Sequence, residues 1–241
     1  MAGHSAWKNI KHRKAAVDAK RGKIWSKLSR AIIVAARSGG ADIKFNAGLR
    51  LAVADAKAAN MPRDTIEKAI KKGSGDLDGE SYEAVRYEGY GPGGVAVIVE
   101  SLTSNVNRTA PEIRTLFDKG GGKLGVPGSV AHGFAQKGVI LVSAASVGEE
   151  RMLELALVAG ADDVSSSAEG HEVTCVPSKL AQVKEAIESA GVTVEDAALA
   201  FVPMATVSVD AEAGSRLQKL IDALEEHDDV QKVHTNADMA E

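Results

Sequence analysis

Basic residues are concentrated near the amino terminus. Between residues 8 and 30 the chain carries Lys8, Lys11, His12, Arg13, Lys14, Lys20, Arg21, Lys23, Lys27 and Arg30. Basic groups at this density neutralise phosphates and release counterions, which is the chemistry of nucleic-acid binding. Phosphate contacts position a protein on nucleic acid without reading its sequence, and nothing in this segment identifies a base reader. The segment therefore predicts a phosphate-binding surface.

Trp7 lies at the start of the same segment. An indole ring can stack on an unpaired base, and it can equally dock the segment onto the protein's own helical domain. The sequence leaves both roles open.

Charge is divided unevenly along the chain. The net charge of 241 residues is -4, but residues 1–75 carry 17 Lys and Arg against 5 Asp and Glu, a net +12. The other 166 residues carry 12 against 28, a net -16. Such asymmetry indicates nucleic-acid contact by the basic part, with a generic solvated basic surface as the alternative. Attraction within the chain would also bring the basic arm at the amino terminus partly against the acidic part.

Residues suited to catalysis or metal binding are sparse. Cys175 lies in a predicted strand, where a core role is favoured over that of a nucleophile. The six His residues are scattered, and the spacings H-x-E, C-x-x-C and H-E-x-x-H do not occur. We therefore expect no enzyme activity, no metal, no cofactor and no small-molecule substrate.

Two segments of the chain are rich in glycine. Residues 120–125 read Gly-Gly-Gly-Lys-Leu-Gly and match G-x-G-x-x-G, but they follow a predicted helix, so the dinucleotide-binding context fails. A helix stop and turn is favoured, with an RNA-contacting loop as the alternative. Gly-Pro-Gly-Gly at 91–94 is likewise expected to be a turn before it is a phosphate nest.

A run of acidic residues lies near the carboxyl terminus: Glu225, Glu226, Asp228 and Asp229. Such runs usually face water, so we expect a solvated helix end that could also bind a basic partner.

Composition indicates a protein of several domains. The length favours two or three domains, and the 44% hydrophobic content is ordinary for a globular chain. A single cysteine suits a reducing compartment, so we expect a cytoplasmic location. The amino terminus does not resemble a secretory signal, and no apolar run approaches 18 residues, which predicts no contact with a membrane.

Hydrophobic periodicity predicts three helices in the basic part, at 24–38, 45–60 and 63–72, behind a flexible arm or marginal helix at 5–22. The first helix has an apolar stripe on one side and Lys23, Lys27, Arg30 and Arg37 on another. This pattern indicates an all-helical domain with a basic face.

Strand patterns dominate the remainder. A hairpin is predicted from strands 82–88 and 95–101, followed by a helix at 107–119 and a strand at 129–134. The segment after Gly138 then gives the order βαββαβ, with strands at 139–142, 163–167, 172–176 and 193–201 and helices at 149–159 and 178–190. A tail follows with a strand at 206–209, a helix at 210–226 and a strand at 230–234.

The predicted fold class is α+β and multi-domain. A helical N-terminal domain (1–76) precedes a discontinuous α/β domain (77–136 and 204–241) that holds an inserted ferredoxin-like βαββαβ domain (137–203). A tandem arrangement would give a similar pattern.

Several motifs resemble the YebC/PmpR family, whose mitochondrial relatives include a translational activator of a cytochrome oxidase subunit. They are Met-Ala-Gly-His-Ser at 1–5, Trp7, Ile-Lys-His-Arg-Lys at 10–14, Asp-Ala-Lys-Arg-Gly-Lys at 18–23, Ala-Lys-Ala-Ala-Asn-Met-Pro at 56–62, Tyr-Glu-Gly-Tyr-Gly-Pro-Gly-Gly at 87–94 and Asn-Arg-Thr at 107–109. The resemblance spans essentially the whole chain. Ala6, where many members have Lys, and residues 123–127 depart from it.

The resemblance implies a three-domain fold and a cytoplasmic, DNA-binding transcriptional regulator. It also implies a second role, since members have been linked to ribosomes and to elongation through sequences such as proline runs. The basic arm supports both roles, because DNA and rRNA present similar phosphate charge. The sequence shows no recognition helix with base-reading residues at its start, which favours RNA.

Overall fold

The computed structural model describes residues 21–78 and 80–239. These fall into two compact units, each considered by itself. The first, the helix–sheet unit, comprises residues 21–129 and 212–233. The second, the ferredoxin-like unit, comprises residues 130–211 and 234–239.

Three helices open the helix–sheet unit: α1 (Arg21–Gly39), α2 (Ala47–Ala58) and α3 (Arg63–Ser74). The Asn46 side chain caps α2 by accepting a hydrogen bond from the Leu49 amide, and Gly75 ends α3 in the left-handed region with φ 86°. The three predicted helices are confirmed.

These helices share a core that includes Ile32, Leu49 and Ala56, each 0% exposed. Gly73 allows α3 to approach α1 closely, because a Cβ at Gly73 would lie 2.5 Å from the Ile33 carbonyl oxygen. The indole nitrogen of Trp25 donates to the Ala59 carbonyl at 3.0 Å, which ties α1 to the end of α2.

A four-stranded sheet of order β3–β1–β2–β9 completes the unit. The strands are β1 (Glu83–Tyr90), β2 (Ala96–Thr103), β3 (Lys123–Leu124) and β9 (Val230–Thr235). β1 and β2 form the predicted hairpin, in register from Glu83↔Thr103 to Tyr90↔Ala96. Helix α4 (Val106–Lys119) belongs to the same unit, as does helix α7 (Ala211–Glu225) from Glu212 onward.

The glycine segment after α4 forms a tightly packed turn. Gly121 has φ 73°, and a Cβ at Gly122 would lie 2.5 Å from the Tyr90 carbonyl oxygen. Lys123 and Leu124 then pair with β1. The predicted turn is present, whereas this short strand was not predicted.

The predicted strand at 129–134 is wrong. Residues Ala131–Gly133 form a 3-10 turn, and strand β4 begins only at Phe134. Gly128, with φ 86°, turns the chain just before this point. The buried Val130 and Phe134 are four residues apart, which fits a turn better than an alternating strand.

The ferredoxin-like unit contains the predicted βαββαβ order. Its elements are β4 (Phe134–Ser143), α5 (Glu149–Ala159), β5 (Asp163–Ser166), β6 (Gly170–Cys175), α6 (Leu180–Ser189) and β7 (Val194–Pro203). The strand order is β5–β6–β4–β7 with all neighbours antiparallel, which is the ferredoxin-like arrangement. The predicted fold class is thus confirmed.

The tail contributes to both units. β9 extends the four-stranded sheet beside β2, as a sheet-joining tail requires. β8 (Val207–Val209) pairs in parallel with β10 (Ala237–Met239), a strand that the sequence did not predict. The division into domains at 1–76, 77–136 with 204–241, and 137–203 stays a prediction. No helix within the described ranges is long and apolar enough to cross a membrane.

Candidate nucleic-acid interface

Helix α1 carries the described part of the basic surface predicted from the sequence. Lys23, Lys27 and Arg30 lie at positions i, i+4 and i+7, which places them on one side of the helix. Ile32 and Ala36 point into the helical core. The amphipathic pattern of the sequence therefore corresponds to a real division of this helix.

The basic side of α1 meets the carboxyl end of α7. Lys27 Nζ donates to the Glu225 carbonyl at 2.6 Å, and Lys23 Nζ donates to the Glu226 carbonyl at 2.5 Å. Carbonyls at a helix end lack partners within the helix, and cations there complement the helix dipole. Helix α7 has no basic residue in its own last turn, so α1 supplies those cations.

Asp229 is the most buried part of this contact, with 1% of its surface exposed. Its Oδ1 accepts from Arg30 Nη1 at 3.0 Å. Its Oδ2 accepts from Arg108 Nη2 at 2.5 Å and from Thr109 Oγ1 at 2.7 Å. The backbone of Asp229 is also bonded, since its carbonyl accepts a hydrogen bond from the Leu102 amide of β2 at 2.8 Å. We call this the Asp229 cluster: Arg30, Arg108, Thr109 and Asp229.

The cluster fixes the charge of Asp229. Burial by itself raises the pKa of this carboxyl, but the hydrogen bonds from Thr109 and Arg108 and the positive charges of Arg108 and Arg30 outweigh it and lower the pKa. Asp229, in the turn after α7, is therefore an anion whose carboxylate is held by residues of α1 and α4.

More exposed contacts surround the cluster. Lys23 Nζ lies 3.3 Å from Asp228 Oδ1, and His227 Nε2 lies 3.0 Å from Glu112 Oε2. A groove of about 620 Å³ opens here, and its walls carry Lys23, Arg30 and Arg108 together with acidic side chains. Because the groove is mixed in charge, it does not resemble a phosphate-binding channel.

The prediction of a solvated helix end at 225–229 is wrong for Asp229. The sequence could not reveal this, because the partner Arg30 lies 199 residues earlier in the chain. Asp228 does fit the prediction, since its side chain is 62% exposed. Basic residues of α1 do contact the acidic run, whereas the arm that we expect to lie partly against the acidic part is outside the described residues. Arg108, Thr109 and Asp229 were missed as partners, although Asn-Arg-Thr at 107–109 was among the family-like motifs.

Much of the predicted site lies outside the described residues. This applies to Trp7, Lys8, Lys11, His12, Arg13, Lys14 and Lys20. Arg21 begins α1, and the described side chains begin after it. That these residues and Lys23, Lys27 and Arg30 bind phosphate stays a prediction. In the structure, donors of the last three are engaged with residues 225–229.

Other basic residues of the helical part face outward. Lys68, Lys71 and Lys72 of α3 are exposed and follow the spacing i, i+3, i+4, away from the buried Ile66 and Ala69. Arg37, Lys44, Arg50 and Lys57 are also exposed. Of these exposed basic residues, the sequence analysis singled out only Arg37.

Two family models match the chain: the TACO1/YebC protein N-terminal domain over residues 5–76, and the TACO1/YebC second and third domain over residues 82–237. The chain belongs to the TACO1/YebC family. The resemblance inferred from the sequence motifs is thereby confirmed.

Similar TACO1/YebC proteins include one from Rubrobacter xylanophilus, 53% identical over 242 residues, and one from Persephonella marina, 52% identical over 243 residues. Each alignment covers 100% of this chain and 97% of the relative, and both relatives bear the name probable transcriptional regulatory protein. A crystal structure of a conserved hypothetical protein from Aquifex aeolicus, 50% identical, covers 94% of each chain with a TM-score of 0.87.

Proposed function

We propose that this protein is a cytoplasmic, non-enzymatic regulator of gene expression that acts by binding DNA. The phosphates are contacted by the basic arm and the exposed basic residues of the helical part. The names of its relatives support a role in transcription.

The observation that carries this proposal is the charge of residues 1–75, a net +12 in a chain whose total is -4. On α3 this charge includes three neighbouring exposed lysines, Lys68, Lys71 and Lys72. A basic surface of this kind attracts nucleic acid without regard to sequence.

A salt series on random duplex DNA tests the proposal. Log affinity should fall with log salt by about 0.9 for each phosphate neutralised. Replacing Lys11, Arg13 and Lys14 by Ala should lower the slope by roughly 3. The matched control replaces Arg151, Lys184 and Arg216 by Ala, which changes the net charge equally within the acidic part. Equal slopes for the two triple variants would refute a role for the arm.

A second candidate is a ribosome-associated translation factor that binds rRNA. The first turn of α3 favours this candidate. Helix α3 follows α2 after a short connection, which is the position of the recognition helix in a helix-turn-helix domain. A recognition helix for duplex DNA presents base readers at its start. Here Arg63 Nε donates to Glu67 Oε1 at 2.8 Å, and Asp64 adds a negative charge.

Sedimentation separates the two candidates. A lysate with intact ribosomes is run on a sucrose gradient, and the protein is located by immunoblotting. Co-migration with ribosomal particles supports the translation factor. Migration at the top of the gradient, together with duplex binding that depends on the arm, supports the DNA-binding regulator.

A further inference from the structure

The helical part exposes one aromatic ring almost completely. Phe45 lies in the connection between α1 and α2 with 87% of its surface exposed, and the neighbouring Ile43 is 37% exposed. A phenylalanine is among the residues most often buried. The ring is therefore an apolar surface that the fold itself does not use.

The loop around Phe45 is braced from within. Asn46 is 7% exposed, and its Nδ2 donates to the carbonyls of Ala35 and Gly40, each at 2.8 Å. Its Oδ1 accepts from the Leu49 amide at 2.9 Å. One buried side chain thus ties the end of α1, the loop and the start of α2 together.

A second set of contacts holds the backbone on either side of the ring. Arg50 Nη1 donates to the carbonyls of Ile43 at 2.9 Å and Lys44 at 3.0 Å. The Asp42 carboxylate accepts from the Lys44 amide at 2.8 Å, and the Asp42 carbonyl accepts from the Phe45 amide at 3.2 Å. Because the backbone that carries the ring is held in this way, the loop loses little conformational entropy when a ligand contacts the ring.

Two cations belong to this loop and its contacts: Lys44 immediately precedes Phe45, and the Arg50 guanidinium is bonded to the backbone of Ile43 and Lys44. Lys44 and Arg50 are both exposed, while the nearby Asp42 carboxylate is turned toward the Lys44 amide. A single ring is too small for a stable protein–protein interface, which needs about 800 Å² on each partner. An aromatic face beside cations matches an unpaired base with its phosphate, because every base has a face that can stack.

We propose that Phe45, together with Lys44 and Arg50, is a stacking site for an unpaired base of single-stranded nucleic acid. This inference rests on the proposed function and names its ligand class more closely. The ring supplies the stacking face and Lys44 attracts the adjacent phosphate. Arg50 adds positive charge and positions the loop.

The test compares single-stranded and duplex ligands in the full-length protein. The probes are a fluorescein-labelled oligouridine of about twelve nucleotides and a labelled random duplex of equal length, and affinity is read by fluorescence anisotropy at one fixed salt concentration. Phe45→Ala should weaken binding of the single strand about 5- to 150-fold, the range expected for loss of one stacked base. Binding of the duplex should change less than about twofold, because the phosphate contacts remain.

Two variants serve as matched controls. Phe45→Tyr keeps an aromatic face and should retain affinity for the single strand. Leu157→Ala removes an apolar side chain that is 78% exposed in the ferredoxin-like unit, and it should change neither affinity. Thermal unfolding of each variant by circular dichroism checks that the fold is intact.

The outcomes separate this inference from the proposed function. The stacking site is overturned if Phe45→Ala binds the single strand unchanged, or if it loses affinity equally for both ligands. In either case, salt-dependent binding by the unaltered protein would still support the proposed function. Absence of binding to either ligand by the unaltered protein overturns both. A selective loss on the single strand supports the site.

Discussion

Replacing Asp229 by Asn tests whether the basic side of α1 serves the fold. The substitution keeps the size of the side chain but removes the charge that Arg30 and Arg108 face at 3.0 and 2.5 Å. Removing one partner of a buried ion pair costs about 3–5 kcal/mol. The Arg108 side chain is 48% exposed and can return to water, so the lower end, about 3 kcal/mol, is expected.

The assay is urea unfolding followed by tryptophan fluorescence. Trp25 packs against the helical core in the same unit as the Asp229 cluster, so its emission reports on the relevant transition. Asp228→Asn is the matched control, because that side chain is 62% exposed and pairs with Lys23, which is also exposed. Its loss should be within about 1 kcal/mol.

The pH dependence adds a second criterion. Because the pKa of Asp229 is lowered in the folded protein, its contribution is present above the ordinary aspartate pKa of 3.8 and is lost as pH falls below it. The difference between the unaltered protein and Asp229→Asn should therefore shrink below that pH. If Asp229→Asn were no less stable than Asp228→Asn at neutral pH, the structural role of the cluster would be refuted.

Three further predictions concern other positions. Glu172 is 5% exposed, and burial, with the nearby charge of Asp163, raises its pKa to about 7. Because its folded-state pKa exceeds the unfolded value of 4.5, the free energy of unfolding should fall by on the order of 3 kcal/mol as pH rises from 4.5 to 7. The free energy of unfolding of Glu172→Gln, measured by chemical unfolding, should depend less on pH, and an equal pH dependence in the two proteins would contradict this. Cys175 is 0% exposed and burial raises the pKa of its thiol, so a disulfide reagent should modify it only after urea unfolding; rapid reaction of the native protein would contradict its core position. Gly73→Ala should destabilise the helical core by about 1–3 kcal/mol because its Cβ meets the backbone of α1. In the same urea assay Gly48→Ala, which meets only ordinary contacts, should be neutral or stabilising, and equal effects would contradict the close approach of α3 to α1.

Local signals explain why most elements could be predicted. Helix α5 is predicted at 149–159, its observed bounds, and Gly148 and Gly160 flank it, with Gly160 at φ 83° ending the helix. The βαββαβ order followed from alternating strand and helix periods. The strand at 129–134 failed because a few apolar residues near a turn carry no clear period.

Such local signals predicted which residues of the candidate site lie on one side of α1, but not what these residues contact. Helical spacing placed Lys23, Lys27 and Arg30 on one side of α1, but it could not say what that side faces. The acidic run containing Asp229 has the composition of a solvated surface, and only the tertiary fold brings it to Arg30. Likewise, the exposure of Phe45 depends on how Asn46 and Arg50 brace the loop, which composition does not encode.

The pairing of β4 with β7 has a mechanical consequence. Phe134, where β4 begins, is in register with Pro203, where β7 ends, and just beyond them the Met204 amide donates to the Gly133 carbonyl at 2.9 Å. The chain thus enters and leaves the βαββαβ segment one strand spacing apart, about 5 Å. Tension applied at these two points would unzip β4 from β7 one hydrogen bond at a time, whereas two strands pulled from opposite ends must break their bonds together. Tension at Phe134 and Pro203 should therefore separate these strands at a lower force than tension that shears them.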